Sequence, residues 1–230
     1  MIRLEKGIGM KSWRLVIFFL VLISIGLIAG AVFFNLGPWN YLRNFLAVVR
    51  PGQIPGPVQR VRVDTPQALN VFGGLIGLFF SGVIMVFMFP NNIKSVGKAL
   101  AQAPIELARL FAIGFLSIVL LAIVGASSAL AEGTFPMVFF IGGLFFIGTF
   151  LGGIALAYRL GRFLLVRAGW GNISPLYPLF LGLLLLYSLI NLSFVGIICL
   201  VLIASLGLGA AIATRFGTGQ PWSLKSLSEE

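Results

Sequence analysis

From Leu176 to Ala213 the chain carries no charged side chain, and several other stretches are nearly as apolar. A helix needs about 20 predominantly apolar residues to cross a bilayer, and such runs occur here several times. Hydrocarbon offers the backbone no hydrogen-bond partner, so open-ended spanning segments must be helices that satisfy their own N–H and C=O groups. With 59% hydrophobic residues and a mean hydropathy of +1.08, the expected fold class is all-α, a polytopic transmembrane helical bundle with interfacial amphipathic helices. No soluble catalytic domain fits into the remainder.

The first expected span runs from Trp13 to Leu36 and stops at Gly37-Pro38, residues that discourage helix continuation. Arg3, Lys6, Lys11 and Arg14 precede it, and Ala29-Gly30-Ala31 resembles a signal-peptidase site. The apolar run is longer than a signal sequence requires, so an uncleaved span is expected. Residues 37–65 form the largest polar part. Within it Trp39, Tyr41, Leu42, Phe45, Leu46 and Val49 fall on one side of a helical wheel, opposite Asn40, Arg43, Asn44 and Arg50. This is the pattern of a helix lying in the headgroup region. Val58, Val61 and Val63 then suggest a short extended stretch.

Thr65-Pro66 supplies an N-cap and a first-turn proline for a second span reaching Phe89. Between Ile93 and Gln102, Ile93, Val96 and Leu100 lie opposite Lys94 and Lys98, which predicts a second interfacial helix. Pro104 and Glu106 start a third span lasting to Ala131. The short connection to Pro136 makes the fourth span its antiparallel neighbour. That fourth helix is apolar from Met137 to Ala157 and continues as one rod through Arg159, Arg162 and Arg167.

The uncharged stretch that follows is roughly 40 residues, too long for one well-matched span at about 1.5 Å per residue. Asn191, Ser193 and Gly196 sit near its middle. A fifth span over 175–190 and a sixth over 196–214 are therefore expected, with one tilted helix, and five spans in all, as the alternative. The organisation expected is a segment 1–36 with the first span, an extracytoplasmic segment 37–65, a five-span bundle 66–214 and a cytoplasmic tail 215–230.

The formal net charge of +10 gathers in short connections rather than on one face, so it reads as a topology signal and not as a nucleic-acid surface. With the amino terminus inside, twelve basic residues fall on the cytoplasmic side, the four outside being Arg43, Arg50, Arg60 and Arg62. Both termini are expected in the cytoplasm, in a bacterial inner membrane.

Chemistry is scarce. There is no histidine, Cys199 is the single cysteine, and Glu132 is the only carboxylate between Leu110 and the last two residues. Proton-coupled transport normally needs an ionisable residue inside the bundle, and the second to sixth spans have none in their central portions. No phosphate loop, metal-ligand spacing or nucleophile with its base is present, so no catalysis, metal or cofactor is expected beyond bound lipid. Pigment or quinone in an apolar groove stays open. The sequon Asn191-Leu192-Ser193 falls in a membrane turn and reads as chance.

Small residues recur four apart at Gly26 and Gly30, Gly73 and Gly77, and Gly148 and Gly152. Such pairs let helix backbones approach closely in lipid, within this chain or, for the first pair, against another subunit. Gly207 and Gly209 lie in the densest small-residue run and are expected at a helix crossing. Tyr158, Arg159, Arg162 and Phe163 form an aromatic and basic cluster at the inner interface, suited to anchoring or to holding a lipid phosphate or a partner's carboxylate. Trp39 and Arg43 are expected to make similar contacts from the outer segment.

From Val71 onward the chain resembles the multi-span membrane region of bacterial bactofilin-like, or polymer-forming, proteins. The similarity lies in Val86-Phe87-Met88-Phe89-Pro90, in Tyr158-Arg159-Leu160-Gly161-Arg162-Phe163-Leu164-Leu165 and in Leu206-Gly207-Leu208-Gly209-Ala210. The β-helical repeats of that family are absent from these 230 residues. The resemblance implies a membrane anchor or scaffold.

The expected function is thus a non-enzymatic scaffold or accessory subunit of a larger membrane complex, in contact with lipids and with other membrane subunits or copies of itself. The alternative is a small permease or channel for a neutral or apolar solute. A membrane enzyme acting on lipids would need converging polar residues, and no such cluster is evident.

Overall fold

The computed structural model describes residues 10–33, 65–128, 135–171 and 173–218. Trp39, Arg43, the expected outer interfacial helix, the stretch around Val61 and the tail from residue 219 lie outside them. The described residues form seven helices and no strand: α1 (Met10–Phe33), α2 (Thr65–Met88), α3 (Pro90–Ala99), α4 (Pro104–Ser128), α5 (Phe135–Arg167), α6 (Leu176–Ile190) and α7 (Ser193–Ala213).

Five of these, α1, α2, α4, α5 and α7, are long and apolar enough to cross a membrane. The uncharged stretch does divide in two, but α6 has only 15 residues and measures about 22 Å, short of the roughly 30 Å of hydrocarbon. The break between α6 and α7 is also tighter than the 190-to-196 turn expected. Only Asn191 and Leu192 separate the two helices, and the Asn191 side-chain amide donates to the Tyr187 carbonyl at 2.8 Å.

Proline and glycine chemistry sets several boundaries. Pro90 opens α3, whose Ile93, Val96 and Ala99 are buried while Lys94 and Lys98 stay exposed. At the end of α5, Gly169 takes a φ of 82°. Its N–H bonds the Val166 carbonyl at 3.0 Å, and the Trp170 N–H bonds that of Leu165 at 2.9 Å. This pair of bonds is a Schellman motif, in which glycine occupies the left-handed position without steric cost.

The chain groups into two compact units, Met1–Gly82 with Ala157–Leu200, and Val83–Leu156 with Val201–Glu230. In the first, α6 is the buried element. It packs against α1, and Leu181 joins Ile17, Leu164, Leu165 and Ala168 in a core cluster. Against α5 it packs backbone to backbone: a Cβ on Gly161 would run into the Pro178 carbonyl, and one on Gly182 into that of Ala157. Against α2, Phe79 and Phe180 meet edge to face at 5.5 Å, and Gly82 faces Leu179 and Leu183. A helix apolar on every side is stable when buried, which accounts for a 15-residue helix with no polar face.

In the second unit the last turns of α7 are central. Gly207 abuts the backbone of α5 at Gly152 and Gly153, and Gly209 abuts that of α4 at Leu110 and Gly114. Gly148 faces Leu208 and Phe216, each 3.0 Å from where its Cβ would stand. Ser205, Leu208, Ala210 and Ala211 are fully buried there.

Candidate functional site

The residues most able to engage another molecule lie in the first unit, at the C-terminal end of α5 and the start of α1. Neighbouring residues of α1 reach two positions flanking the Schellman turn in crossed fashion. The Arg14 guanidinium lies over the Trp170 ring, 5.5 Å from its centroid, while that of Arg167 lies 5.0 Å from the Trp13 centroid and 4.5 Å from that of Phe163. Arg14 Nε also donates to the Ala168 carbonyl at 3.3 Å, one of the carbonyls that a helix end leaves without an intrahelical partner. Each guanidinium over an aromatic face contributes about 0.5–1 kcal/mol when exposed.

Behind this latch is a hollow of about 140 Å³ whose wall includes Tyr158, Arg162, Val166, Trp170, Pro175 and Pro178. It adjoins a larger, shallower hollow of about 480 Å³ walled by Leu165, Gly169, Trp170, Gly171, Ile173 and Tyr177. Leu165, Trp170, Gly171 and Ile173 belong to both walls. The described residues of this unit include no aspartate or glutamate.

Of the residues singled out in the sequence, Tyr158 and Arg162 come together on one wall, whereas Arg159 is half-buried and off it. Gly148, Gly152, Gly207 and Gly209 meet neighbouring helices, while for Gly26, Gly73 and Gly77 nothing stands within 4 Å of a Cβ among the described residues. Gly30 lies on α1, but its surroundings fall outside the description. Sequence reading missed Trp13, Arg14, Arg167 and Trp170 as partners, and Gly114, Gly161 and Gly182 as packing glycines. The signals were present: a Trp-Arg pair opening α1, an Arg-Ala-Gly-Trp helix end, and Ala157 with Gly161 and Pro178 with Gly182 four apart.

Among the described residues no group of three His, Cys, Asp or Glu side chains could hold a metal ion. Compared with protein-family models, curated proteins and solved structures, the chain matches none. Its five long apolar helices define a multi-pass α-helical membrane protein.

Proposed function

We propose that the protein is a non-enzymatic scaffold or accessory subunit of a larger membrane complex, in a bacterial inner membrane with both termini in the cytoplasm. The observation that carries this reading is how the polar side chains within the apolar helices are used. Ser117 donates to the Ile113 carbonyl at 2.8 Å, Ser127 to that of Ile123 at 2.9 Å, Ser188 to that of Leu185 at 2.8 Å and Asn191 to that of Tyr187 at 2.8 Å. A hydroxyl or amide turned back onto its own helix offers little to a passing solute.

The outer faces favour contact with apolar neighbours. On α2, Phe72, Ile76, Phe80, Ile84 and Phe87 are all at least half exposed, and Gly73 and Gly77 beside them leave space for a close helix. The resemblance to the membrane region of bactofilin-like proteins points the same way, towards an anchor. The excess of basic residues in the four segments assigned to the cytoplasm, the two termini among them, supports the orientation, which counts the short α6 as a sixth crossing beside α7; with five crossings the tail would lie outside.

Purification of the full chain in mild detergent, followed by native mass spectrometry, tests the proposal. A stoichiometric membrane partner, or a discrete assembly of copies, is the expected result. A lone monomer that moves a neutral solute across proteoliposomes would replace the scaffold with a permease. Reporter fusions at Gln53 and in the tail test the orientation, and a periplasmic tail would reject it.

A further inference from the structure

We propose that the paired hollows beside Arg162 bind one anionic phospholipid, its phosphate on the Arg162 guanidinium and its glycerol and upper acyl carbons in the adjoining apolar hollow. The inference is independent of whether the protein is a scaffold or a permease. It begins with charge. Arg162 belongs to the first unit, whose described residues hold no carboxylate. A guanidinium beside a low-dielectric region favours an anion as its partner, and lipid phosphate is the anion that a membrane supplies at this depth.

The arginines are not equivalent. Arg14 and Arg167 lie over Trp170 and Trp13, which fixes the indole that walls both hollows. Arg162 is exposed, lines the smaller hollow and has no hydrogen-bond or ion-pair partner among the described residues. Guanidinium presents a planar fork that matches two phosphate oxygens at once, and Tyr158 on the same wall brings a hydroxyl able to donate a further hydrogen bond.

Size and position agree. The smaller hollow, about 140 Å³, is several times the roughly 30 Å³ of a water in the liquid, enough for a phosphate group. The larger one, about 480 Å³, has Leu165 and Ile173 on its wall and nothing charged. Free phosphate fills only the first; a phospholipid fills both. The 33 residues of α5 extend about 50 Å, beyond the roughly 30 Å of hydrocarbon. Trp13, Trp170 and Tyr177 stand near this end, the residue types that concentrate at headgroup depth.

The test uses the delipidated full-length protein in mild detergent, titrated with phosphatidylglycerol and followed by native mass spectrometry. Arg162→Ala is expected to weaken binding about tenfold, the loss of one charge-assisted contact, and Arg162→Lys to recover part of it. Arg109→Ala removes the same charge from the second unit and should leave affinity unchanged. Ile173→Glu, at a partly exposed position, places a carboxylate on the shared wall and should abolish binding without disturbing the core. Wild-type affinity in both Arg162→Ala and Ile173→Glu would overturn the site, as would an equal loss in Arg109→Ala. Displacement of the lipid by an equal concentration of inorganic phosphate would overturn the lipid assignment in favour of the free ion.

Discussion

The Tyr187 hydroxyl donates a 2.6 Å hydrogen bond to the main-chain carbonyl of Val71, tying α6 to α2. Its approach depends on Gly74, where a Cβ would stand 2.8 Å from the hydroxyl oxygen but 3.7 Å from the nearest ring carbon. Interhelical hydrogen bonds in membranes contribute about 0.6 kcal/mol on average and up to about 1.7. Tyr187→Phe should therefore cost about 1 kcal/mol in a reversible unfolding titration, and Gly74→Ala a similar amount by displacing the phenol. In the double variant alanine meets only ordinary ring contacts, so the two costs should not add. Full additivity would show that the bond and the glycine act separately.

The glycines divide into two groups by what faces them. A Cβ on Gly152 would enter the backbone of Gly207, and one on Gly209 the carbonyl of Leu110, so the helices must separate to accept alanine. Gly152→Ala and Gly209→Ala are each expected to lose about 1–3 kcal/mol, as overpacking of a tight interior does. Gly73→Ala and Gly77→Ala, where no described residue stands within 4 Å of a Cβ, should be neutral or gain up to about 1 kcal/mol of helix propensity. Thermal melting of the four variants in one detergent reads the contrast, and equal losses at all four positions would contradict it.

That division also marks where sequence reading stops. Gly73 with Gly77 and Gly148 with Gly152 share one spacing; periodicity fixes the helix face they occupy but not what lies across from it. Helix positions were far more legible. Length against bilayer thickness required the break near Asn191, Pro104 opened α4 and the arginines after Ala157 marked the far end of α5, while α3 begins at Pro90, three residues before the expected Ile93. The short α6 was legible to within a residue as the expected 175–190 segment; which neighbours bury it was not, because hydropathy carries no record of partners. The crossed pairing of Trp13 and Arg14 with Arg167 and Trp170 joins residues some 154 apart, the separation of Arg14 from Ala168. Tyr158 and Arg162 were legible as a site because one turn of a single helix holds both.

Ser205 departs from Ser117, Ser127 and Ser188, whose hydroxyls bond back to their own helices. It is fully buried, and its Oγ has no hydrogen-bond partner among the described residues, while its carbonyl lies against Gly114. A buried hydroxyl without a partner carries a desolvation penalty of about 1–3 kcal/mol. Ser205→Ala should accordingly keep the packing, remove that penalty and raise the melting temperature. Ser188→Ala, which deletes a 2.8 Å bond to Leu185, should not. A destabilised Ser205→Ala would mean that its hydroxyl serves a partner or a solute.

At the end of α7 the backbone turns through three consecutive left-handed residues, Arg215 at φ 50°, Phe216 at 55° and Gly217 at 86°. Two of them bear side chains, a conformation costing roughly 1–2 kcal/mol each, so neighbouring contacts must hold it. Asn92 does so directly: its Nδ2 donates to the Phe216 carbonyl at 2.7 Å, and its backbone leaves no space for a Cβ on Gly217. Thr214 Oγ1 accepts from the Gly217 N–H at 3.1 Å, completing the turn. Asn92→Ala should release Phe216 and speed tryptic cleavage after Arg215 severalfold, with melting lowered by only about 1 kcal/mol, the net worth of one hydrogen bond. Gly217→Ala combines an unfavourable φ with a collision and should accelerate cleavage further. Unchanged cleavage in both variants would show that the turn holds without Asn92.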